Sequence, residues 1–216
     1  MIKKLNYLWV AALLVAGACK KDNDEPATGT TSLVPFFTQL KPGNYWIYER
    51  YQVTPSGTAT PLGIFDSCYV ENDTTIGNRV YSTYVAPSSP GTGLTITYLR
   101  DSAGYLIDEQ QNIYFSATDF TTIYSDEYIF SGVDTVARVT KQMADKDLQI
   151  SVPAGSFGTH NFRKRYEMFP PYTTAGTIRD QNVRYGGGVG KVEERLPFFA
   201  SNPDYVDRRL VRYHVQ

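Results

Sequence analysis

The chain has 216 residues with 21 basic and 22 acidic side chains, a formal net charge of −1. No strongly basic balance exists to attract nucleic acid. Its 17 tyrosines suit an exported β-rich domain, where each ring packs while the hydroxyl stays wet.

From the N-terminus, Lys3 and Lys4 give a positive start, and 5–16 is a short run that is apolar except for Asn6. Gly17 and Ala18 then place two small side chains before Cys19. These are the marks of a secretory signal peptide over 1–18. A membrane span needs roughly 20 apolar residues, and Lys20 and Lys21 stop this run too early. The cysteine directly after the cut makes the segment resemble a bacterial lipoprotein signal, with Cys19 as the lipidation site carrying palmitate-type chains. Ala16 stands where the usual pattern prefers leucine. The other reading is ordinary cleavage after Ala18 with no lipid. Each buried CH₂ of an acyl chain contributes about 0.8 kcal/mol, and one chain alone binds reversibly. Two or three chains on Cys19 would hold the protein on a membrane without crossing it.

Residues 19–34 carry Lys20, Lys21, Asp22, Asp24 and Glu25 and then a Thr- and Gly-rich stretch. They bury too little apolar surface to offset ordering entropy, so a disordered tether is expected. Lysine followed by acidic residues resembles the export signal of some surface-exposed Gram-negative lipoproteins, although any charged spacer would look similar. The expected location is the bacterial outer membrane, with the surface-exposed and periplasmic faces both open. Loss of 1–18 removes Lys3 and Lys4 and leaves a net charge of −3.

Residues 35–216 are enough for one domain with a core. Gly43-Asn44 opens the β-rich run Tyr45-Trp46-Ile47-Tyr48-Glu49-Arg50-Tyr51, broken at Pro55-Ser56-Gly57. Strands are predicted near 64–72, 79–86, 94–100, 104–108, 111–116, 122–130 and 133–142, with a turn at Asp101-Ser102-Ala103-Gly104. Met143 to Lys146 is either a short helical turn or a hairpin loop. Leu148, Ile150 and Val152 alternate with polar neighbours, as a half-buried strand does. A strand near 157–168 puts Phe162, Tyr166 and Met168 on one face. A long loop is expected over 169–177. The last strand, near 205–215, sets Val211, Tyr213 and Val215 against Arg208, Arg212 and His214. Many short strands without helical periodicity predict an all-β, antiparallel, strongly curved sheet or half-barrel. If Cys19 is acylated Cys68 has no disulfide partner, and a lone cysteine in a strand is most often a buried small hydrophobe.

Two motifs converge on a family. Ile150-Ser151-Val152-Pro153-Ala154-Gly155-Ser156-Phe157 and, about thirty residues on, Tyr185-Gly186-Gly187-Gly188-Val189-Gly190-Lys191-Val192 precede a closing Leu210-Val211-Arg212-Tyr213. With the opening Pro42-Gly43-Asn44-Tyr45-Trp46, the pattern is similar to the TapB-like lipoproteins, relatives of a family of unknown function built on a curved antiparallel sheet. The resemblance implies a fold and an address. It brings no catalytic residue, because the family carries none that is agreed. Gly186-Gly187-Gly188 replaces the usual aromatic or alanine lead-in and implies a looser local backbone.

Chemical motifs are few. Gly190-Lys191 lacks the glycine (Tyr185) and hydroxyl (Val192) of a phosphate loop. Glycines 186 and 188 suit a bulge or close backbone contact instead. His160 and His214 belong to no zinc or serine-hydrolase pattern, so no metal and no cofactor is expected. Each reads as a surface or half-buried imidazole. The pairs Asp108-Glu109, Asp126-Glu127 and Glu193-Glu194 would point to opposite faces of a strand, unlike the opposed carboxyls of a glycosidase. They read as strand-edge and turn charges. Arg163-Lys164-Arg165 and Arg208-Arg209 with Arg212 read first as solvated faces, and second as contacts for anionic headgroups. Trp46, Tyr48 and Tyr51 read as sheet packing, with a tyrosine-lined concave binding face as the alternative. The leading expectation is a non-enzymatic envelope lipoprotein that binds an apolar or glycan ligand on the curved sheet. The alternative is an assembly lipoprotein that offers a sheet edge to another envelope protein. A hydrolase ranks third, and needs a cleft that brings a carboxylate from 108–127 near Glu193 or His160.

Overall fold

Period-2 burial sets the architecture. Along Tyr45–Val53 the chain buries Trp46, Tyr48 and Val53, and along Asp134–Met143 it buries Ala137, Val139 and Met143. Alternation of this kind is what strands need to place one face on a core. The structure, a computed structural model, describes residues 33–89, 92–196 and 204–216, and these fall in one compact unit. The signal segment 1–18, Cys19 and tether residues 20–32 lie outside the described residues.

Among the described residues the order is α1 (Val34–Thr38), β1 (Tyr45–Val53), β2 (Ala59–Ile76), β3 (Arg79–Pro87), β4 (Leu94–Ser102), β5 (Tyr105–Asp108), β6 (Ile113–Ser116) and β7 (Ser125–Ser131). There follow β8 (Asp134–Met143), β9 (Leu148–Val152), β10 (Gly155–Met168), β11 (Ile178–Gly186), β12 (Gly190–Arg195) and β13 (Tyr205–His214). Twelve strands lie in one sheet in the order β6-β5-β4-β3-β2-β1-β13-β12-β11-β10-β8-β7, and β9 adds to β10 off that path. The pairings are antiparallel, and β6 and β7 remain as edges. The sheet is therefore not closed.

It is, however, rolled. One core cluster joins Leu99, Leu106 and Phe115, from one end of the strand order, to Met143, Phe162, Val183 and Tyr185 from the other. The Phe115 and Tyr185 rings lie 4.7 Å apart, and the Ser116 amide donates to the Met143 sulfur at 3.3 Å. The strands thus face one another across a half-barrel. The second cluster, with Trp46, Tyr48, Cys68, Val192 and Leu210, fills the region around β1, β12 and β13.

Three local expectations change. The Val34–Thr38 helix was not foreseen, since a single turn shows no periodicity; Val34 is only 1% exposed and packs into the first cluster. Met143 to Lys146 forms no helical turn: β8 runs through Met143, and the following loop bonds back to Asn161. In β13 a register shift opposite Ile47 and Tyr48 breaks simple alternation. Arg208 and Leu210 are buried as a result, whereas Arg212 and His214 are exposed. Such a bulge re-aims every side chain beyond it.

Candidate functional site

Antiparallel register aligns Phe162, Val183, Glu194, Arg208 and Arg50 in one row across β10, β11, β12, β13 and β1. Paired residues on neighbouring strands share a face. The row therefore begins apolar and becomes ionic as it crosses the concave floor. Asp66 of β2 ends it, taking Arg50 through two hydrogen bonds of 2.7 and 2.8 Å and Arg208 Nε at 2.5 Å. Arg208 also reaches Glu194 at 3.4 Å and the Pro87 carbonyl at 2.9 Å, and Lys191 Nζ meets Glu194 at 3.1 Å.

Charges this well buried need partners, because desolvation outweighs any single attraction. Burial alone would push the Asp66 carboxyl up, but hydrogen bonds from Arg50 and Arg208 hold it below the ordinary value. Burial likewise opposes the Glu194 anion and the Lys191 cation, and their mutual attraction reverses both effects. Three cations on this chain of contacts (Arg50, Arg208 and Lys191) face two anions, Asp66 and Glu194.

Above the floor is a cavity of about 240 Å³. Leu99, Leu106, Phe162 and Val183 form its apolar wall, and Trp46, Tyr84 and Tyr114 add aromatic surface. Lys164, Lys191, Glu194 and Arg208 line its polar side. The floor is held firmly. The Trp46 indole N–H donates to the Val189 carbonyl at 2.7 Å, and the Tyr48 hydroxyl donates to the Lys191 carbonyl at 2.8 Å. Gly190, at φ +98°, lets that turn come so close to Trp46 that a Cβ would sit 2.9 Å from the indole.

Several residues singled out in the sequence meet here. Lys164 is separated from Arg163 and Arg165 by alternation and faces inward, whereas Arg165 pairs with Asp180 at 2.9 Å. Arg208 is not on a solvated face but 3% exposed within the ionic row. Glu193 and Glu194 are not edge charges either: they sit in β12, Glu194 inward and Glu193 held by Arg184 and Arg209 at 3.7 and 3.3 Å. Trp46 and Tyr48 pack as expected; Trp46 also lines the cavity, and Tyr48 supports Lys191 through its carbonyl. Cys68 is a buried, free thiol, 1% exposed and raised by burial.

Other candidates lie elsewhere. Asp126 and Glu127 are edge charges paired with Arg138 and Lys141. Asp108 caps its turn by accepting the amides of Gln110 and Asn112. His160 is buried beyond expectation, its ring 4.3 Å from Phe37 and 5.1 Å from Phe120, while His214 is exposed and stacks on Tyr45. The glycines of 186–188 admit Phe36: a Cβ at Gly187 would lie 2.5 Å from that ring, and the Gly188 amide donates to the Phe36 carbonyl. The backbone there is tightly packed rather than loose. Among the described residues no three His, Cys, Asp or Glu side chains cluster as metal ligands would. No helix among them is long and apolar enough to cross a membrane.

Lys191 and Tyr84 were missed as site residues. Lys164 was legible in part, since it shares the parity of Phe162 and Tyr166 along β10.

No protein-family model and no curated protein matches the chain. Two solved structures resemble it. One, from Bacteroides fragilis, is described as a candidate exported protein with YmcC-like fold, 13% identical, TM-score 0.48, covering 83% of this chain and 99% of that one. The other, from Parabacteroides distasonis, is described as a candidate lipoprotein, 15% identical, TM-score 0.45, covering 83% of this chain and 98% of that one.

Proposed function

We propose that this chain is a non-enzymatic lipoprotein of the bacterial outer membrane, anchored at Cys19, whose half-barrel takes up a small and largely apolar ligand. The cavity of about 240 Å³ between the apolar wall and the ionic floor is the observation that carries this reading. Concave sites with apolar walls and a few fixed polar groups are where proteins bind small molecules. The signal over 1–18 followed by Cys19 supports the address. A ligand with a hydrocarbon part fits Leu99, Leu106, Phe162 and Val183 better than a glycan does, since a sugar would strand hydroxyls against that wall.

The hydrolase reading receives no support among the described residues. Glu193 is engaged by Arg184 and Arg209, and His160 by Asp147 at 3.1 Å; no carboxylate from 108–127 is a partner of either. The assembly reading keeps one observation in its favour. Edge strand β7 is exposed over most of its length and shows Tyr128, Ile129 and Phe130 to solvent, as a strand open to further pairing would.

The test is native mass spectrometry on residues 19–216 carrying Cys19→Ser, after exposure to envelope extract; this chain retains the whole compact unit. A discrete added mass is expected, and Thr97→Trp, which fills the cavity from β4, is expected to abolish it. A bare protein mass throughout would sink the small-ligand reading.

A further inference from the structure

We infer that the ligand of this cavity carries an anionic head, a carboxylate or a phosphate, and that Lys164 is the residue that receives it. This inference rests on the cavity reading above and adds the chemical class. Lys164 lies on β10 two residues from Phe162, on the same face, and its side chain lines the cavity where the apolar wall meets the ionic floor. The other cations around it are committed. Lys141, its register neighbour on β8, is held by Glu127 at 3.1 Å; Lys191 is held by Glu194, and Arg208 by Asp66 and Glu194. Lys164 itself makes no hydrogen bond or ion pair among the described residues. Gln181, its register neighbour on β11, is neutral.

The local charge count points the same way. The floor already has one more cation than anion, and Lys164 adds another. Burial and the charges of Lys141 and Lys191 pull its proton affinity down, against Glu194 and Glu127. An ammonium held in an apolar-walled site with carboxylates acting on it only at longer range, and no direct hydrogen bond, is costly. A ligand oxyanion would relieve that cost through a charge-assisted hydrogen bond. An amphiphile with an anionic head matches the division of the wall, with its chain on Leu99, Leu106 and Phe162 and its head at Lys164.

Binding of dodecanoate, dodecyl phosphate and dodecanol to residues 19–216 with Cys19→Ser, measured by calorimetry, tests this. At least one of the two anions is expected to bind about tenfold or more tightly than the alcohol, and whichever is tighter identifies the head as carboxylate or phosphate. Lys164→Met is expected to erase the preference, and Lys164→Arg to restore it. Equal affinities in the wild-type chain overturn the anionic head and leave the cavity reading standing. A preference that survives Lys164→Met overturns the role of Lys164. No binding of any of the three overturns the cavity reading itself.

Discussion

His160 shows how one side chain can couple this fold to pH. Its ring is enclosed by Phe37, Phe115 and Phe120, and Asp147, its hydrogen-bond partner among the described residues, has a side chain 74% exposed. Burial lowers the imidazole pKa below its ordinary 6.5, more than Asp147 raises it. The unfolded chain therefore takes up the proton first, and stability falls as pH drops from about 6.5 toward the folded value. Melting temperature measured from pH 7.5 to 5 should decline in wild type. It should decline less in His160→Phe, which keeps the aromatic stack and has nothing to titrate. Gly190 carries a different constraint. Alanine there meets both φ +98° and the indole of Trp46, which its bond to Val189 prevents from moving away. A loss of about 2 kcal/mol or more is expected in urea denaturation. Gly132→Ala, at φ 61° with nothing within 4 Å, should cost about 1 kcal/mol.

At the scale of elements, the same interaction type has opposite weight in the middle of the sheet and at its edge. Asp66 on β2 ties β1 to β13 through Arg50 and Arg208, and it is 4% exposed. Replacing it with asparagine leaves a buried guanidinium short of its counter-ion, a change expected to cost about 3 kcal/mol. Breaking the Arg138–Asp126 pair between β8 and β7, 36% and 42% exposed, should change stability far less, because solvent screens an exposed pair. Equilibrium unfolding of Asp66→Asn beside Asp126→Asn checks both. α1 acts as a wedge rather than as a helix in its own right. Phe36 enters the glycine turn before β12, and Phe37 packs on Phe115 of β6 and His160 of β10. Phe37→Ala should therefore cost about 2 kcal/mol, less than for a fully buried ring, and should loosen β6 and β10 together. Hydrogen exchange on those two strands would show it.

Over the whole molecule, a rolled sheet with free edges at β6 and β7 separates two tasks. Edge strand β7 meets solvent, while the concave side holds both the packed core and the cavity. Much of this was legible in the chain itself. Period-2 alternation and turn residues such as Asp101 to Gly104 establish the strands, because side-chain direction in a strand depends only on local geometry. The inward parity of Lys164 was readable for the same reason. β11 was not: Arg179, Asp180, Gln181, Asn182 and Arg184 make Ile178–Gly186 look like loop. Arg179 is nevertheless fully buried in the fold, its guanidinium over the Tyr205 ring at 4.5 Å. Local pattern also gave Arg208 and Glu194 to solvent. Whether a charge can be buried depends on a counter-charge from another strand, here Asp66 and Lys191. That is a matter of register between segments as many as 142 residues apart. Short-range composition is enough for the strand content and for the buried Cys68. Only the tertiary structure decided that the two ends of the sheet face each other, that the ionic row runs across the floor, and that a cavity remains between them. Those depend on pairing order and on a β-bulge, and neither is encoded within any single segment.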